Sequence, residues 1–433
     1  MKLIEEKIAI IGLGYVGLPL AVEFGKVAET IGFDINLKRT EELIEGIDST
    51  KELSKEQIDL SKKLTFTSDP ESLRDCKTFI VTVPTPVDKS NQPDLSPLKK
   101  ATELIANYLK KDNVVVYEST VFPGCTEEIC VPILSEISGL EFNIEFFCGY
   151  SPERVNPGDK INTLTKIKKI TSGSTEDIAK KIDALYLAII DAGTYLAPSI
   201  KVAEAAKVIE NTQRDLNIAF INELSKIFNL MDIDTIDVLN AAETKWNFQR
   251  YRPGMVGGHC IGVDPFYLTY KAEKLGYMPE IILAGRYLNE QMAPYAAEQT
   301  IKMMVDNEIN LEKAVVGILG FAFKDNCPDF RNTKIIDLIL EFKKAGIKTI
   351  VADSWVNKKD VKNNFDINLV EIDENFKVDA LVVAVGHTNY KNFSINDLKN
   401  LYKVTSKKMI ISDLKSIYDK TLLETNNFKV FRL

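Results

Sequence analysis

The chain has 433 residues, enough for two or three domains with an ample core, and its hydrophobic content of 45% is ordinary for a folded protein. Its 54 basic and 62 acidic residues give a net charge of -8 without a strong basic block, which argues against a nucleic-acid partner. No stretch resembles a membrane span or a signal peptide, so we expect no association with membranes. The six cysteines are scattered without a framework pattern, which predicts reduced thiols and a cytoplasmic location.

The first predicted element is a buried parallel strand at residues 7–11, which runs into the sequence GLGYVG at residues 12–17 and then into a helical stretch. Gly12 allows a tight turn, Gly14 lets a pyrophosphate approach the backbone, and Gly17 lets the helix pack on the strand. The positive end of the helix favours the phosphate charge. This combination of strand, glycines and helix predicts dinucleotide binding rather than a purely structural turn.

Asp34 closes the next apolar run, residues 31–33, at about the distance where an acid accepts hydrogen bonds from a ribose. A carboxylate at this point repels the extra phosphate of NADP. The predicted cofactor is therefore NAD.

Two β-branched runs at residues 79–83 and 113–117 read as further parallel strands, and each ends in a polar loop. Ligands of such sheets bind beyond the carboxyl ends of the strands, so these loops should face the cofactor. A strand at residues 146–150 delivers the sequence SPERVNPG to the same edge. The acid and the arginine of that loop suit a polar substrate, although a structural role for the loop stays open.

A long helix is predicted from residue 198 to residue 230, with more helices continuing to about residue 308. Lys207, Asn211 and Arg214 follow at spacings of four and three, which places them on one helical face. A lone lysine is usually solvated. Here alanines at positions 203, 205 and 206 provide the small neighbours that a buried lysine needs.

The segment GGHCIGVDP, residues 257–265, places the thiol of Cys260 near the carboxylate of Asp264 on a glycine-rich turn. The glycines, Gly257 first, let backbone approach a substrate, and the thiol is suited to covalent chemistry. No CxxC motif accompanies Cys260 and the chain has only two histidines, so no metal site is expected. A tight turn with a buried cysteine is the alternative.

A second open-sheet domain is expected from Ala314 onward, with strands at residues 315–320, 349–353, 379–385 and 408–413 and a helix after Asn332. The polar patch at residues 358–364 is expected to be a solvated loop.

Seven blocks together resemble the UDP-glucose/GDP-mannose dehydrogenase family, in its order and spacing and over essentially the full length. They are GLGYVGLPLA, VPTPVD, ESTVFPG, SPERVNPGD, KVAEAAKVIENTQRDLNIAFINEL, RPGMVGGHCIGVDPFYL and GFAFKDNCPDFRNTK. The later blocks resemble the branch that oxidises UDP-N-acetylhexosamines, the Vi-antigen and O-antigen type. The resemblance implies an α/β fold: two Rossmann-like open-sheet domains joined by a long central helix and a helical middle domain with a 6-phosphogluconate-dehydrogenase-like centre. The expected domains are residues 1–195 (NAD binding), 196–308 (dimerisation) and 309–433 (UDP-sugar binding).

The resemblance also implies a four-electron oxidation of a sugar C6 alcohol to a carboxylate, with two NAD⁺ consumed. In this scheme Thr120 and Asp264 hold a water that accepts the hydroxyl proton, and Lys207 stabilises the alkoxide. Cys260 then adds to the aldehyde, and the thiohemiacetal is oxidised to a thioester. Lys207 and Asn211 donate to the oxyanion, and water activated near Asp264 or Glu153 hydrolyses the thioester.

Two sets of binding residues follow from the motifs, together with a homodimer in which Arg252 reaches the neighbouring active site. The cofactor set is Gly12, Gly14, Tyr15, Val16, Gly17, Asp34, Arg39, Thr85, Thr120 and Arg331. The substrate set is Glu153, Arg154, Val155, Lys207, Asn211, Arg214, Arg252, Gly257, Phe323 and Lys324, in which Lys324 pairs with the diphosphate and Phe323 packs beside uracil.

Two departures from the UDP-glucose branch bear on the substrate. Val263 stands where that branch has a lysine, and Arg154 replaces an apolar residue of the sugar loop. The fixed fork of donors of an arginine can bind an acetamido carbonyl or ring hydroxyls. Both departures favour a UDP-N-acetylhexosamine over UDP-glucose, but no motif decides between the C4 epimers. The expected substrate is UDP-N-acetyl-D-glucosamine, and the alternatives are UDP-N-acetylgalactosamine and then UDP-N-acetylmannosamine or UDP-glucose. Two other classes compete: a two-electron 3-hydroxy acid dehydrogenase, which needs no essential thiol, and a non-catalytic nucleotide-sugar sensor, which has no need of Cys260, Lys207 and Asp264.

Overall fold

A computed structural model of the chain describes residues 4–88, 90–155, 161–258, 260–403 and 408–433. The chain divides into two compact units, which are Met1–Glu210 with Phe266–Met278, and Asn211–Pro265 with Pro279–Leu433. Each unit contains a parallel sheet with helices, so the predicted α/β class is confirmed. The three-domain boundaries stay a prediction.

The sheet of the first unit consists, in the described residues, of β1 (Ile8–Ile11), β2 (Thr30–Phe33), β3 (Leu64–Thr67), β4 (Thr78–Val81), β5 (Asn113–Tyr117) and β6 (Phe146–Tyr150). Their order is β3-β2-β1-β4-β5-β6, and all neighbouring pairs are parallel. This is the strand order of a dinucleotide-binding fold. The carboxyl ends of β1, β2, β4 and β5 therefore share one edge, where a ligand of such a sheet binds.

Helices cover this sheet and bury its apolar side chains, among them Ile10, Phe24 and Val116. The helices of the first unit are α1 (Gly17–Val27), α2 (Leu37–Ile44), α3 (Lys55–Asp59), α4 (Ser96–Ala106), α5 (Val131–Ser138) and α6 (Glu176–Leu187), with short helical turns at Pro70–Leu73, Thr126–Cys130 and Leu164–Lys166. Strands β7 (Lys169–Thr171) and β8 (Thr194–Leu196) form a separate parallel pair. Cys125 and Cys130 are completely buried and belong to the core.

The predicted long helix is present as α7 (Ile200–Leu230), which has 31 residues. It passes from the first unit into the second at residues 210 and 211. Lys207 is only 7% exposed and Ala203 is fully buried, so the prediction of a buried lysine is confirmed.

The second unit contains β9 (Val315–Leu319), β10 (Lys348–Ala352), β11 (Ala380–Val383), β12 (Met409–Asp413) and β13 (Phe428–Phe431). These strands, counted over the described part of the chain, form one parallel sheet in the order β10-β9-β11-β12-β13. It is a second doubly wound sheet, as predicted from the apolar runs.

The remaining helices are α8 (Thr235–Ala242), α9 (Asp264–Lys274), α10 (Glu280–Glu290), α11 (Met292–Asp306), α12 (Ile335–Lys344), α13 (Lys358–Phe365), α14 (Thr388–Lys391), α15 (Ile395–Asn400) and α16 (Lys420–Thr425), with a turn at Leu311–Lys313. Within the described ranges no helix is both long and apolar enough to cross a membrane.

The expectation of a solvated loop at residues 358–364 is wrong, because these residues form helix α13. The side chain of Asn357 accepts hydrogen bonds from the N–H groups of Lys359 and Asp360, which caps the helix. Val361 is fully buried and anchors its inner face. The polar composition concealed a helix that has only one well-buried side chain.

Candidate active site

The glycine turn after β1 has the geometry that its sequence predicts. Gly12 has a φ of +95°, and a Cβ added at Gly17 would lie 1.8 Å from the carbonyl oxygen of Gly12. Around Gly14 nothing lies within 4 Å of an added Cβ. No side chain caps the N-terminus of α1 and no acid lies in its first turn. The turn therefore offers a pyrophosphate both open space and the positive end of a helix.

Asp34 follows β2 and braces this turn. Its Oδ2 accepts a hydrogen bond from the N–H of Leu13 over 2.8 Å, and its Oδ1 accepts one from the N–H of Asn36 over 2.9 Å. The carboxylate is half-buried, and each oxygen has a second lone pair that can accept a ribose hydroxyl.

Arg39 is buried under the same turn rather than open to solvent. Its Nε donates to the carbonyl oxygen of Leu13 over 2.9 Å, and its guanidinium pairs with Asp48 over 2.8 Å and bonds Ser49. Protein groups thus occupy several of its donors. Its contact with the cofactor stays a prediction, while its support of the glycine turn is a direct observation.

Thr85 and Thr120 lie in the loops that follow β4 and β5, which are neighbouring strands of the sheet. The two loops are joined, because Ser119 Oγ donates to the carbonyl oxygen of Val83 over 2.6 Å. They are also tied to the glycine turn, since Thr82 Oγ1 donates to the carbonyl oxygen of Gly12 over 2.7 Å. The residues predicted to face the cofactor therefore meet at one edge.

Glu153 lies after β6 and belongs to a buried set of charged groups. Its Oε1 accepts the N–H groups of Arg154 and Val155 over 2.7 and 2.5 Å, and its Oε2 lies 3.5 Å from Lys169 Nζ. Lys169 also donates to Glu118 over 2.6 Å, and Glu118 accepts from the hydroxyl of Tyr186. Burial raises the pKa of Glu118, and the neighbouring ammonium of Lys169 partly opposes that shift. Residues 156–159 of the SPERVNPGD motif lie outside the described residues.

Arg154 has protein partners in the structure. Its Nε and NH2 groups contact the carboxylate of Glu210 over 3.2 and 2.8 Å, and its NH1 donates to the carbonyl oxygen of Lys168 over 2.7 Å. The guanidinium links its loop to α7. Direct recognition of an acetamido group by Arg154, as the sequence suggests, stays a prediction.

Helix α7 also holds the loop that carries Thr120. Glu204, one turn before Lys207, is completely buried and accepts the N–H groups of Gly124 and Thr126 over 2.5 and 2.9 Å. Burial raises the pKa of Glu204 to about 7, although both of these hydrogen bonds act in the opposite direction. Glu204 fixes the loop after β5 against the helix that bears Lys207.

Cys260 lies in a turn of the second unit directly before α9, and its side chain is partly exposed. Its carbonyl oxygen accepts the N–H groups of Val263 and Asp264, so the turn leads straight into the helix. Asp264, the first residue of α9, is 1% exposed and accepts a hydrogen bond from Asn211 Nδ2 over 2.6 Å. His259 lies outside the described residues. Cysteine, carboxylate and amide of the predicted catalytic set thus belong to one local structure.

The approach to Cys260 is fixed at several points. Asn222 on α7 bonds both the N–H and the carbonyl of Gly254, over 2.8 and 3.0 Å, and is held by Asn289. A Cβ added at Gly257 would lie 2.8 Å from the carbonyl oxygen of Asn332. At Gly258, which has a φ of +84°, it would lie 2.9 Å from the ring of Phe323. The glycines are needed here because backbone and an aromatic ring pack against them.

Phe323 and Lys324 lie in the loop after β9, where Lys324 Nζ is 5.5 Å from the centre of the Phe323 ring. They line a cleft of the second unit together with Met255, Gly257, Lys334 and Lys415. Lys324 and Lys415 provide positive charge for a diphosphate, while Lys334 is paired with Glu290 and Asp337. The ring of Phe323 provides an apolar face for a base. The predicted substrate residues Gly257, Phe323 and Lys324 therefore share one cleft.

The other predicted arginines are all exposed. Arg214 and Arg252 line an open cleft of the second unit with Arg250 and Tyr251, and Arg252 forms an ion pair with Glu243. Arg331 pairs through two nitrogens with Asp329, the shortest distance being 2.8 Å. Their contacts with substrate and cofactor stay predictions.

The second sheet has an aspartate in a position like that of Asp34, but its carboxylate has different partners. Asp353 follows β10 and accepts the N–H groups of Phe321 and Ala322 over 2.6 and 3.0 Å. Its carboxylate is also bonded to His387 Nε2 over 3.0 Å, and both side chains are fully buried. The equivalent of Asp34 is therefore closed off from any ribose.

Sequence comparison matches three profiles of the UDP-glucose/GDP-mannose dehydrogenase family: the NAD binding domain at residues 6–190, the central domain at 201–291 and the UDP binding domain at 317–420. The chain belongs to the UDP-glucose/GDP-mannose dehydrogenase family. It is an NAD-dependent dehydrogenase, and its substrate is a UDP-sugar.

Two curated relatives are UDP-N-acetyl-D-glucosamine 6-dehydrogenases. The protein of Salmonella typhi is 55% identical over 413 residues, which cover 95% of this chain and 96% of that protein. That of Pseudomonas aeruginosa is 54% identical over 414 residues, covering 96% and 97%. Among solved structures, UDP-D-ManNAc dehydrogenase from Pyrococcus horikoshii aligns with a TM-score of 0.89 at 26% identity and covers 98% of both chains.

The described residues fit NAD. The open space at Gly14, the uncapped start of α1 and the half-buried carboxylate of Asp34 match the pyrophosphate and the ribose. Glu118, Glu204 and Asn222 lie within the family-like blocks and Lys169 lies outside them, but nothing in the sequence indicates that these residues support this site and the Cys260 turn. Each acts through partners 32 to 80 positions away in the sequence, so only the folded chain identifies them.

Proposed function

We propose that the chain oxidises the C6 hydroxyl of UDP-N-acetyl-D-glucosamine to a carboxylate in two successive steps on one sugar. The observation that carries this proposal is the position of Cys260, a partly exposed thiol directly before α9, next to the buried Asp264–Asn211 pair. A thiol is the group that lets an aldehyde be oxidised further, because the thiohemiacetal retains a hydrogen for transfer.

Bound NAD⁺ supplies the hydride acceptor for each oxidation, and two are consumed per sugar. In the first step a water held by Thr120 and Asp264 takes the proton of the C6 hydroxyl, and Lys207 stabilises the negative charge on the oxygen. The burial of Lys207 and Asp264 strengthens these interactions by excluding water.

The thiolate of Cys260 then adds to the aldehyde carbon and forms a thiohemiacetal, which is oxidised to a thioester. Lys207 and Asn211 donate hydrogen bonds to the oxygen that carries the charge in both tetrahedral species. Glu153 takes a proton from the water that hydrolyses the thioester, and the Cys260 thiolate leaves.

The choice of sugar rests on the chain's own departures from the UDP-glucose branch, Val263 and Arg154, and on the relatives. Sequence identity to the two UDP-N-acetyl-D-glucosamine enzymes is 55% and 54%, against 30% to the UDP-N-acetyl-D-mannosamine dehydrogenase of Pyrococcus horikoshii. UDP-N-acetylgalactosamine, which differs only at C4, is the second candidate substrate. The uronate that the enzyme forms would serve surface polysaccharide or glycan synthesis.

We further propose three domains at residues 1–195, 196–308 and 309–433, a cytoplasmic homodimer, and Arg252 as the residue that reaches the neighbouring subunit's site. The exposure of Arg252 and the arginine-lined cleft around it support this assignment. A measurement of molecular size in solution tests the dimer. The role of Arg252 is tested in mixed dimers, in which Cys260→Ser subunits should restore activity to Arg252→Ala subunits.

The test of the function is the number of NADH formed per sugar consumed, with UDP-N-acetyl-D-glucosamine and its C4 epimer, UDP-N-acetylmannosamine and UDP-glucose compared in parallel. We expect two NADH per molecule of UDP-N-acetyl-D-glucosamine and no steady turnover to uronate by Cys260→Ser. One NADH per sugar, or uronate formation by Cys260→Ser, would contradict the thioester scheme. Binding of the nucleotide sugar without any NADH would support the sensor.

A further inference from the structure

A buried cluster of Glu118, Lys169 and Glu153 lies in the first unit, and the predicted catalytic set includes only Glu153. The side chain of Lys169 is 3% exposed and stands between the two carboxylates, 2.6 Å from Glu118 and 3.5 Å from Glu153. Glu118 is completely enclosed, whereas the side chain of Glu153 is 10% exposed. The cluster therefore has a closed end at Glu118 and a slightly open end at Glu153.

The contacts of the cluster hold each charged group in one place. Glu118 directly follows β5 and accepts from Tyr186 of α6, Lys169 begins β7, and Glu153 follows β6 and accepts two backbone N–H groups. The ammonium of Lys169 also lies 5.5 Å from the centre of the Tyr186 ring. Four elements thus converge on one ammonium.

A purely structural ion pair would need only Glu118 and Lys169. A buried pair of that kind contributes little net stability, because desolvation of both charges offsets their attraction. The second carboxylate gives Lys169 a partner that reaches solvent. Lys169 lies 3.5 Å from the one group of the cluster that the proposed reaction uses, so its ammonium can hold that carboxylate in place.

We propose that Lys169 is a positioning residue of this enzyme: anchored by Glu118, its ammonium holds the carboxylate of Glu153 in place to accept a proton from the water that hydrolyses the thioester. This inference rests on the proposed function, in which Glu153 is that base. Water oxygen bonds to the thioester carbon while its proton passes to Glu153. The carbon–sulfur bond then breaks, the Cys260 thiolate recovers the proton, and no electrons are exchanged.

Rescue by arginine provides a readout that a structural role would not move, because arginine keeps a positive charge beside Glu153 whereas methionine removes it.

The test uses Lys169→Met in the full-length protein, mixed rapidly with saturating NAD⁺ and UDP-N-acetyl-D-glucosamine. We expect a burst of two NADH per subunit, an acyl adduct on Cys260 by intact mass, and steady turnover lower by at least about tenfold at neutral pH. Lys169→Arg should retain most of the turnover. Lys166→Met, which removes an exposed lysine nearby, should match the wild type.

A second variant covers the chance that Lys169→Met fails to fold around an unpaired Glu118. The double change Glu118→Gln with Lys169→Met removes both charges of the buried pair, and we expect it to show the same burst and adduct. Restored hydrolysis in the double variant would mean that Lys169 only neutralises Glu118, which would overturn the inference. So would slow turnover in a folded variant without burst or adduct.

The number of NADH that the wild type forms per sugar distinguishes failure of the proposed function from failure of the role proposed for Lys169. If the wild type does not form two NADH per sugar, the proposed function fails whatever the variants do. If it does, and Lys169→Met turns over normally without an adduct, only the role of Lys169 fails.

Discussion

Asn211 Nδ2 donates to Asp264 Oδ2 over 2.6 Å, which links α7 to the first residue of α9. Asp264 is almost completely buried, so this amide determines which way the carboxylate oxygen points beside the Cys260 turn. A carboxylate without such a partner would have to be desolvated at a cost of about 1 to 3 kcal/mol or more. The pair therefore stabilises the turn that carries Cys260.

Asp264→Asn should retain the hydrogen bond from Asn211, because the new side chain offers a carbonyl oxygen at the same place. It removes the charge that helps to take the hydroxyl proton in the proposed scheme. We expect kcat to fall on the order of 100-fold or more while the thermal midpoint changes by only a few degrees. Steady-state kinetics and thermal unfolding measure the two effects, with Asp237→Asn on exposed α8 as the control. Unchanged kcat would exclude Asp264 from proton transfer.

Glu204 should make stability depend on pH. Burial raises the pKa of Glu204 from 4.5 to about 7, so the folded state binds the proton more tightly than the unfolded state does. Both states are protonated below pH 4.5, and stability then falls as pH rises to 7. The full difference above that pH is about 3 kcal/mol in the free energy of unfolding.

Glu204→Gln should remove that slope. Urea unfolding at pH 5 and pH 8 measures the loss of stability in each protein, and the variant should lose less than the wild type. Glu136→Gln, which changes an exposed carboxylate of α5, should keep the wild-type slope. An equal slope in the wild type and Glu204→Gln would contradict the assignment of the shift to Glu204.

Variants of Arg154 and Glu210 can distinguish recognition of the sugar by Arg154 from its structural support of the loop after β6. If Arg154 binds the acetamido group, Arg154→Ala should raise KM for UDP-N-acetyl-D-glucosamine by about tenfold, which corresponds to about 1.4 kcal/mol. Glu210→Gln should change KM by much less, because it leaves the guanidinium in place. Equal increases in both variants would show that the ion pair acts only by holding the loop to α7.

Gly258→Ala should disturb the wall of the substrate cleft. The positive φ of +84° and the Phe323 ring 2.9 Å from the added Cβ both oppose a side chain. We expect the free energy of unfolding to fall by about 1 to 3 kcal/mol and KM for the UDP-sugar to rise. At Gly262 the nearest atom would be 3.7 Å away, so Gly262→Ala is a matched control. Similar behaviour of both variants would mean that Phe323 moves freely.

The sequence predicts the parts of the molecule that depend on local spacing. The glycine turn, Asp34, the buried Lys207 and the Cys260 turn each use residue types that few others can replace within a short segment. Helix α7 is predicted for the same reason, since its apolar period continues without glycine or proline from residue 200 to residue 230.

Other features are not readable from the sequence. Edge strands β3 and β13 are short and carry partly exposed side chains, so their patterns resemble loops. The partners of Arg154 and the Lys169 cluster depend on contacts between distant positions, such as Lys169 with Glu118. The hydrophobic periodicity of the sequence does not predict whether Glu118 or Glu153 will contact the ammonium of Lys169.

The enclosure of Asp353 by His387 limits how the two sheets can be used. Of the two aspartates that brace a glycine turn in the described chain, Asp34 alone is open enough to receive a ribose. One chain then accommodates a single dinucleotide at a time, while complete oxidation consumes two. The spent coenzyme must depart and a fresh molecule must enter halfway through each cycle. Attachment of the half-oxidised sugar to Cys260 would retain it during this exchange. The lifetime of the covalent adduct would then limit the time available for the second NAD⁺ to bind.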